Sequence, residues 1–311
     1  MIEFWHTKKE QTFRIKIKDE RQERRIKMKK LFASIASALL LVTGALGLTA
    51  CGKEEVKYPV EDGKFTVVTN CPFGMYEYIG EDGKIYGIDI ELAGLFATEN
   101  NLELVVKNID FDAIFTQVES GYADAGMAGI TVTADRKKVY DFSNTYCKAS
   151  QKLIVLDTNN DFEGMTDPMT VENALKGLSG KKIGYQTGTT GGMYINGDED
   201  FGFDGFANIE GKGYDTAVLA VEDMLNGNIY AVVVDEGPAN AIVKEKSGVK
   251  VIDVKLTDEE YAFVMKKGNK TLQDKFNEFI AKVKADGTYD AIEAKYYQNV
   301  GDKIGCDVTT D

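Results

Sequence analysis

The sequence predicts an α/β fold in two lobes, each with a mostly parallel sheet flanked by helices. Along the chain, two kinds of segment alternate. In one kind every second residue is apolar, as in strands, and in the other the apolar residues recur at helical spacing. In addition, residues 115–125 and 223–232 each end a helical pattern with a small polar residue and a glycine, then enter a strand. Such a unit can also recur by coincidence, so this likeness alone does not establish two related halves.

The first elements follow from side-chain periodicity. Residues 65–69 alternate like a strand, and residues 102–106 do the same. Between them, residues 88–98 carry apolar side chains on one helical face, at Ile88, Leu92, Leu95 and Phe96. A strand, a helix and a second strand in this order indicate a unit whose two strands run parallel.

Two glycines mark where helices end and strands begin. Gly121 and Gly227 fit the left-handed position that closes a helix. If each half contains such a helix-turn-strand unit, the loops leaving the strands, at 126–131 and around Asp235, face each other across a cleft. Ligands of open α/β sheets bind beyond the carboxyl ends of strands, where both loops lie.

Arg136 is the only arginine after residue 25, because lysine supplies every other basic side chain of that region. Unlike lysine, arginine offers a rigid planar fork that binds a carboxylate through two hydrogen bonds. We therefore interpret Arg136 as a ligand anchor. The alternative is an ordinary surface cation.

Residues 1–50 look like an export signal. A basic stretch leads into an uncharged apolar run at 31–50, and small residues precede Cys51. This order is typical of a bacterial lipoprotein signal peptide, after which Cys51 would be lipidated, with palmitate among the expected acyl chains, and would become the N-terminus. An uncleaved membrane helix is the alternative. Met28 opens the pattern, so residues 1–27 are interpreted as an upstream extension.

Charge and composition exclude several functions for the remaining 261 residues. Residues 1–50 hold 11 of the 37 basic and 5 of the 50 acidic residues, which leaves a net charge of −19 that disfavours binding to nucleic acid. The one histidine, His6, lies upstream, so histidine-based catalysis and histidine metal sites are excluded. Cys71, Cys147 and Cys306 lack metal-site spacing and allow at most one disulfide, whose pairing stays open.

Residues 124–143, which read DAGMAGITVTADRKKVYDFS, resemble the signature of the bacterial extracellular solute-binding proteins of family 3. Supporting stretches are EDGK at 81–84, GIDIELA at 87–93, KIGYQTGTT at 182–190, YAVVVD at 230–235 and KADGTY at 284–289. The likeness runs from about residue 65 to 297. It implies a type II periplasmic-binding-protein fold whose two lobes are joined by a two-segment hinge.

The resemblance also implies domain boundaries. Residues 51–57 would form a lipid-anchored tether, 58–148 with 261–311 would form lobe 1, and 149–260 would form lobe 2. The hinge would lie near 148–150 and 260–262, and two helices at 271–285 and 289–297 would pack on lobe 1.

Family positions imply an amino acid site. Arg136, assisted by Thr131, would bind the ligand's α-carboxylate, and the Gly129 carbonyl and the Asp235 carboxylate would receive its α-ammonium. Arg136 and Asp235 belong to different lobes, so both ligand charges are satisfied only in a closed cleft.

The resemblance implies further residues that would contact the ligand's side chain and complete its carboxylate site. Phe73 and Phe111 would sandwich its side chain, and Thr189 and Thr190 would complete the carboxylate site. Gln186 would reach the ligand side chain. Together with Asn70 it forms a polar lining that favours an uncharged polar ligand over lysine or arginine.

Two departures from the family pattern concern the second lobe. Gly191 and Gly192 follow the paired threonines where many relatives carry glutamine or an acidic residue, so a side-chain contact is expected to be missing. Residues 196–205 form an acidic, glycine-rich insert that invites a calcium interpretation but lacks the oxygen spacing of an EF-hand. We expect a solvated loop, no metal and no cofactor.

The predicted function is a substrate-binding lipoprotein of an ABC importer. It would be a monomer anchored by lipid to the extracytoplasmic face of the cell membrane, delivering a polar L-amino acid to a permease and its ATPase. The alternative is an enzyme on the same fold that resembles cyclohexadienyl dehydratase, with Asp235 or Glu236 as general acid.

Overall fold

The computed structural model describes residues 56–298 and 303–308, and two five-stranded sheets organise this part of the chain. Contacts divide the chain into Met1–Lys53 and Glu54–Asp311, and all described residues belong to the second unit. The prediction of an α/β fold with two sheet-containing lobes is confirmed.

The strands and helices alternate through the described residues. The strands are β1 Lys64–Thr69, β2 Tyr78–Ile79, β3 Ile85–Tyr86, β4 Glu103–Asn108, β5 Ala125–Gly126, β6 Tyr140–Phe142, β7 Cys147–Ala149, β8 Gln151–Leu156, β9 Lys181–Gln186, β10 Ile209–Tyr214, β11 Ala231–Asp235, β12 Val249–Ile252, β13 Glu259–Tyr261 and β14 Val264–Lys266. The helices are α1 Ile88–Glu99, α2 Phe111–Ser120, α3 Ala134–Val139, α4 Pro168–Gly177, α5 Thr190–Asn196, α6 Ala217–Leu225, α7 Glu236–Glu245, α8 Lys270–Ala285 and α9 Thr288–Tyr297.

The two sheets share one topology. Lobe 1 has the order β4-β1-β5-β14-β6, and lobe 2 has the order β10-β9-β11-β8-β12. Strands β1 and β9, the second in each order, each pair in parallel with two neighbours, whereas β14 and β8 are antiparallel to theirs. In each lobe the antiparallel strand is the one that follows a crossing between the lobes. The sheets are therefore mostly, not wholly, parallel.

Two chain crossings pair with each other. Strands β7 and β13 form an antiparallel ribbon in which Glu259 lies opposite Ala149 and Tyr261 lies opposite Cys147. The ribbon overlaps the two segments expected to act as a hinge, near 148–150 and 260–262. The role of these segments as a hinge stays a prediction.

Strand alternation builds a core on each face of each sheet. In β1, Val67 packs into one cluster and its neighbour Val68 into another. In β8, Leu153 and Ile154 divide in the same way between the two clusters of lobe 2. Successive side chains of a strand point to opposite faces, so each sheet is covered on both sides, as parallel sheets require.

Sequence periodicity located the early elements to within two residues. The helix at 88–98 extends by one residue to Glu99, and the strand at 102–106 instead spans Glu103–Asn108. Asn101 with φ 55° and the bond from Leu102 N to Ala97 O, 2.9 Å, close the helix before the strand starts. The two C-terminal helices each begin one residue before their predicted start.

The turn glycines have the predicted conformation. Gly121 closes α2 with φ 79°, and Gly227 follows α6 with φ 78°. Helix α6 ends at Leu225 and its C-cap residue is Asn226, so Gly227 lies one position later relative to its helix than Gly121, the C-cap residue of α2. In the described ranges no helix has the length and apolar character needed to cross a bilayer.

Candidate functional site

Helix α3 positions Arg136 at the interface between the lobes. Thr133 precedes the helix, and its hydroxyl accepts the backbone N–H of Arg136 at 3.1 Å. This N-cap satisfies a donor that a helix start leaves unpaired. Arg136 is only 7 % exposed, whereas its neighbours Lys137 and Lys138 are exposed. The surface-cation alternative for Arg136 is therefore wrong.

The guanidinium of Arg136 joins backbone atoms of both lobes. Nη1 donates to the Thr131 carbonyl at 2.6 Å in lobe 1, and Nη2 donates to the Gly188 carbonyl at 2.9 Å in lobe 2. Its Cζ atom lies 4.7 Å from the ring centre of Phe115 and 5.8 Å from that of Phe111. Over the residues described, no carboxylate forms an ion pair with it. Burial lowers its pKa to about 10.

The hydroxyls of Thr131 and Thr190 converge on one carboxylate. Thr131 Oγ1 donates to Glu259 Oε2 at 2.6 Å, and Thr190 Oγ1 donates to the same atom at 2.8 Å. Gln151 in turn donates to Thr190 Oγ1 at 3.0 Å. Sequence reasoning missed Glu259, since a single acidic residue at the start of a short strand gives no signal of its own.

Gly129 lies where only a glycine fits. Its φ is 53°, and a Cβ atom there would stand 2.5 Å from Phe73 Cε1 and 3.3 Å from Tyr261 Cε2. Its N–H donates to Asp89 Oδ2 at 2.9 Å. Phe73 thus packs directly against the backbone that is expected to receive the ligand's ammonium group.

Asp235 ends β11 and faces the second crossing. It is 4 % exposed and accepts a hydrogen bond from the hydroxyl of Tyr261. Burial, and secondarily the charge of Glu259, raises its pKa to about 7. The charge of Glu259 also acts on Arg136. It favours the protonated guanidinium and so opposes the lowering of the Arg136 pKa by burial.

Asn70 and Gln186 touch across the cleft. Gln186 Nε2 donates to Asn70 Oδ1 at 2.6 Å and to the Asp215 carbonyl at 2.9 Å. Asn70 Nδ2 donates to the Ile109 carbonyl at 2.7 Å. The two amides form an uncharged contact between lobe 1 and lobe 2.

The other predicted site residues, Phe111, Phe73 and Thr189, make different kinds of contact. Phe111 begins α2 and packs near the guanidinium of Arg136, while Phe73 packs against Tyr76 and Tyr261. The Thr189 hydroxyl donates to the Gln186 carbonyl at 2.7 Å, which is a hydrogen bond within its own loop. The structure therefore brings Arg136, Thr131, Thr190 and Asp235 around Glu259 and turns the Thr189 hydroxyl away.

Two further buried carboxylates lie behind the site. Glu77 is fully buried, and neither of its carboxylate oxygens has a hydrogen-bond partner among residues 56–298 and 303–308. Burial, then the charges of Asp89 and Asp235, raises its pKa well above the usual range. Burial raises the pKa of Asp89 to about 7, although Gly129 N and the Tyr146 hydroxyl donate to it. The stretch 87–93 resembled the family, yet nothing in the sequence assigned Asp89 a role.

The acidic insert of lobe 2 makes a contact with lobe 1. Asp198 and Phe203 form an isolated β-bridge, and Lys138 Nζ lies 2.8 Å from Asp200 Oδ2 and 2.6 Å from Asp135 Oδ1. The described chain contains no group of three or more histidine, cysteine or acidic residues that could hold a metal ion. Cys51, the predicted lipidation site, lies outside the described residues.

The chain resembles known proteins in both sequence and structure. The chain is 28 % identical over 274 residues to a probable histidine-binding protein of Neisseria gonorrhoeae, covering 85 % of this chain and 96 % of that one. A structure of the amino acid ABC transporter substrate-binding protein AbpA from Streptococcus pneumoniae, bound to L-arginine, superposes with a TM-score of 0.66 at 30 % identity. That superposition covers 77 % of this chain and 97 % of the other.

A second similar structure is an ancestral amino acid-binding protein, AncCDT-1, described as a precursor of cyclohexadienyl dehydratase. It superposes with a TM-score of 0.66 at 26 % identity and covers 76 % of this chain and 96 % of that one. The model of the family described as bacterial extracellular solute-binding proteins, family 3, matches residues 65–299. The chain therefore belongs to the bacterial extracellular solute-binding proteins of family 3.

Proposed function

We propose that this chain is the substrate-binding lipoprotein of an ABC importer and that it captures a polar L-amino acid between two closing lobes. The observation that carries the proposal is the buried guanidinium of Arg136. It is held by a carbonyl from each lobe and has no carboxylate ion-paired to it in the described part of the chain. A buried cation without a direct ion pair is costly, so an anionic group of a ligand stabilises it.

The neighbouring groups suit the rest of a zwitterion. Thr131 and Thr190 offer hydroxyl donors close to Arg136, one from each lobe. Asp235, buried on the lobe 2 side, supplies a carboxylate for the ammonium group. Hydrogen bonds to charged partners contribute about 1.5–3 kcal/mol each, so this small set is sufficient for tight binding.

Closure is coupled to binding because the site draws on both lobes. Arg136 bonds to Gly188, and Gln186 bonds to Asn70, across the cleft. A ligand that contacts both Arg136 and Asp235 makes its full set of interactions only when these residues are near each other. Its binding free energy therefore favours the closed state.

The side-chain specificity follows from the amide pair of Asn70 and Gln186. An uncharged contact of two amides supports an uncharged polar ligand, because a cationic side chain is better paired with a carboxylate. The relatives named above carry histidine and arginine in their descriptions. A screen that includes these two amino acids, glutamine and cystine therefore covers both possibilities.

The membrane anchor and the partners are part of the same proposal. Cys51 would carry lipid, palmitate included, and hold a monomer at the extracytoplasmic face of the membrane, where the closed lobes would dock on a permease and its ATPase. Metabolic labelling with radioactive palmitate tests the anchor. Wild-type protein should take up label and Cys51→Ser should not; equal labelling of both would contradict lipidation at this residue.

The binding function is tested by a thermal-shift screen of the soluble domain from residue 52 with the proteinogenic amino acids and L-cystine, followed by calorimetry. We expect one ligand per chain for at least one of them, since a ligand that binds only the folded state raises its stability. Arg136→Ala should abolish binding. Lys137→Ala, an exposed neighbour on the same helix, should leave it unchanged. Absence of binding to native protein contradicts the proposal.

A second candidate, an enzyme resembling cyclohexadienyl dehydratase, is favoured by one observation. The pKa of Asp235 is raised to about 7, which is the range of a working general acid. AncCDT-1, similar in structure, is described as a precursor of that enzyme. Incubation with prephenate or arogenate distinguishes the two functions: aromatic product that disappears in Asp235→Asn supports the enzyme, and no product supports the receptor.

A further inference from the structure

The carboxylate of Glu259 binds the two hydroxyls that the proposed function assigns to the ligand. Glu259 is 3 % exposed. Its Oε2 atom accepts from Thr131 Oγ1 at 2.6 Å and from Thr190 Oγ1 at 2.8 Å, and its Oε1 atom accepts from Thr257 Oγ1 at 2.6 Å. Three hydroxyl protons are thus committed to one side chain.

Glu259 also has a distinctive place in the fold. It begins β13, opposite Ala149 in the ribbon that links the lobes. Thr131 belongs to lobe 1 and Thr190 begins α5 of lobe 2. A single carboxylate from the crossing therefore ties the two lobes together in the closed arrangement.

The charge of Glu259 acts where a ligand carboxylate would act. Among the charged groups that favour the protonated form of Arg136, Glu259 has the largest effect, ahead of Asp235. A hydroxyl has only one proton to donate, so Thr131 and Thr190 cannot serve Glu259 and a ligand carboxylate at once. Two carboxylates at the same hydroxyls also repel each other.

We propose that Glu259 is an affinity-setting residue of the binding site, an internal carboxylate that occupies the hydroxyls of Thr131 and Thr190 until the ligand's α-carboxylate replaces it. This inference rests on the proposed receptor function. Binding is then an exchange of one carboxylate for another at Thr131 and Thr190. The exchange weakens binding, because contacts already present in the ligand-free closed state are lost when the ligand arrives.

The chain offers a matched control for this inference. Glu260 is adjacent in β13, but its side chain is exposed, and its backbone carbonyl accepts from Val132 N at 3.1 Å. Glu259→Gln and Glu260→Gln therefore remove the same charge from the same strand, one inside the site and one outside. Only the first changes the carboxylate that Thr131 and Thr190 contact.

Calorimetry on wild type and both variants measures the effect, with the amino acid that gives the largest thermal shift as probe. In Glu259→Gln we expect the Kd to fall about tenfold, which corresponds to about 1.4 kcal/mol, since the repulsion is removed. Glu260→Gln should match wild type. An unchanged or higher Kd in Glu259→Gln, with wild type binding normally, overturns the role of Glu259 alone. Failure of wild type to bind any amino acid overturns the receptor function as well.

Small-angle scattering without ligand gives an independent readout. We expect a larger radius of gyration for Glu259→Gln than for wild type or Glu260→Gln, because the neutral amide holds the two lobes less tightly. Equal radii overturn the inference. If Glu259→Gln does not fold, Glu259→Asp keeps the charge but shortens the side chain, and it should likewise expand the ligand-free protein.

Discussion

The hydroxyl of Tyr261 donates a hydrogen bond to Oδ1 of Asp235 and so links the second crossing to the end of a lobe 2 strand. The ring of Tyr261 also borders Gly129, where a Cβ atom would lie 3.3 Å from Cε2. Tyr261 therefore touches both groups that we expect to receive the ligand's ammonium. It acts as a positioning residue for Asp235 and lowers the pKa of that carboxyl against the effect of burial.

Removing this hydroxyl should weaken ligand binding in a pH-dependent way. In Tyr261→Phe the pKa of Asp235 rises above about 7, so less of the carboxylate is ionised at pH 7. We expect the Kd to rise about tenfold at pH 7 and to recover much of that loss at pH 9. Tyr76→Phe is the matched control, since Tyr76 packs edge-on against Tyr261 but its hydroxyl faces Cys147. A loss of equal size at both pH values would contradict the role of Tyr261.

Stability of the ligand-free protein should decrease as the pH rises from about 4 to about 7. Burial raises the pKa of Asp89 and of Asp235 from 3.8 to about 7, so across this range the folded state holds protons that the unfolded state has released. Each group contributes a change of up to about 4 kcal/mol. The free energy of unfolding, measured in urea at intervals of pH, should fall over this window, and any further fall above pH 7 is assigned to Glu77, whose pKa burial raises well above the usual range.

Asp89→Asn provides the variant for this pH profile. The amide oxygen keeps an acceptor for Gly129 N and for the Tyr146 hydroxyl, while the titrating group is lost. Its stability should fall less steeply with pH than that of wild type. A variant whose profile runs parallel to wild type shows that Asp89 does not titrate in this range.

Lysine should not replace Arg136. The two terminal nitrogens of the guanidinium donate to carbonyls in different lobes, at 2.6 and 2.9 Å, and a single ammonium group lacks this fork. In Arg136→Lys we expect binding of the amino acid to weaken about 100-fold, or about 2.7 kcal/mol, by calorimetry. Lys137→Arg adds a guanidinium one residue away and should neither strengthen wild-type binding nor rescue Arg136→Lys.

A side chain at position 129 should be much more damaging than one at position 121. Both glycines have positive φ, but nothing lies within 4 Å of a Cβ atom at Gly121, whereas at Gly129 it would lie 2.5 Å from Phe73 Cε1. Gly121→Ala therefore measures backbone strain alone, about 1–2 kcal/mol of stability. Gly129→Ala should cost at least about 3 kcal/mol in urea unfolding and should impair binding, since Phe73 has to move. Equal losses of stability in Gly121→Ala and Gly129→Ala would show that Phe73 moves aside at little cost in free energy.

The fold was largely predictable because its signals are local. Side-chain periodicity located α1 and β1, and Gly121 marked the end of α2, since these features depend on neighbours in the chain. The antiparallel direction of β14 depends on how the chain returns from lobe 2, which no local pattern encodes. The prediction of mostly parallel sheets was right, because in each of the two described five-stranded sheets a single strand, β14 or β8, runs antiparallel to its neighbours.

The candidate site was predictable where residue identity was unusual. The isolated arginine at position 136 pointed to a special role, and the structure buries it between the lobes. Glu259 and Glu77 were missed because an acidic residue in an acidic chain is unremarkable until its burial is known. Asp235 was named through the family resemblance, but its raised pKa could not be predicted, because desolvation depends on the packed structure. The ligand roles and the lobe boundaries stay predictions.

The contact between Asn70 and Gln186 should couple ligand binding to closure of the cleft. Gln186 Nε2 keeps a second acceptor, the carbonyl of Asp215, when Asn70 is removed. Asn70→Ala also loses the bond from Asn70 Nδ2 to the Ile109 carbonyl, so the bond between the lobes has to be isolated by a double-mutant cycle. A double-mutant cycle of Asn70→Ala and Gln186→Ala should give a coupling energy of about 1 kcal/mol in the free energy of ligand binding. The same cycle measured in urea unfolding of ligand-free protein reports how much of the closed arrangement exists without ligand. Additive effects in the binding measurement would mean that the two amides separate when the ligand enters, and that its side chain replaces their bond.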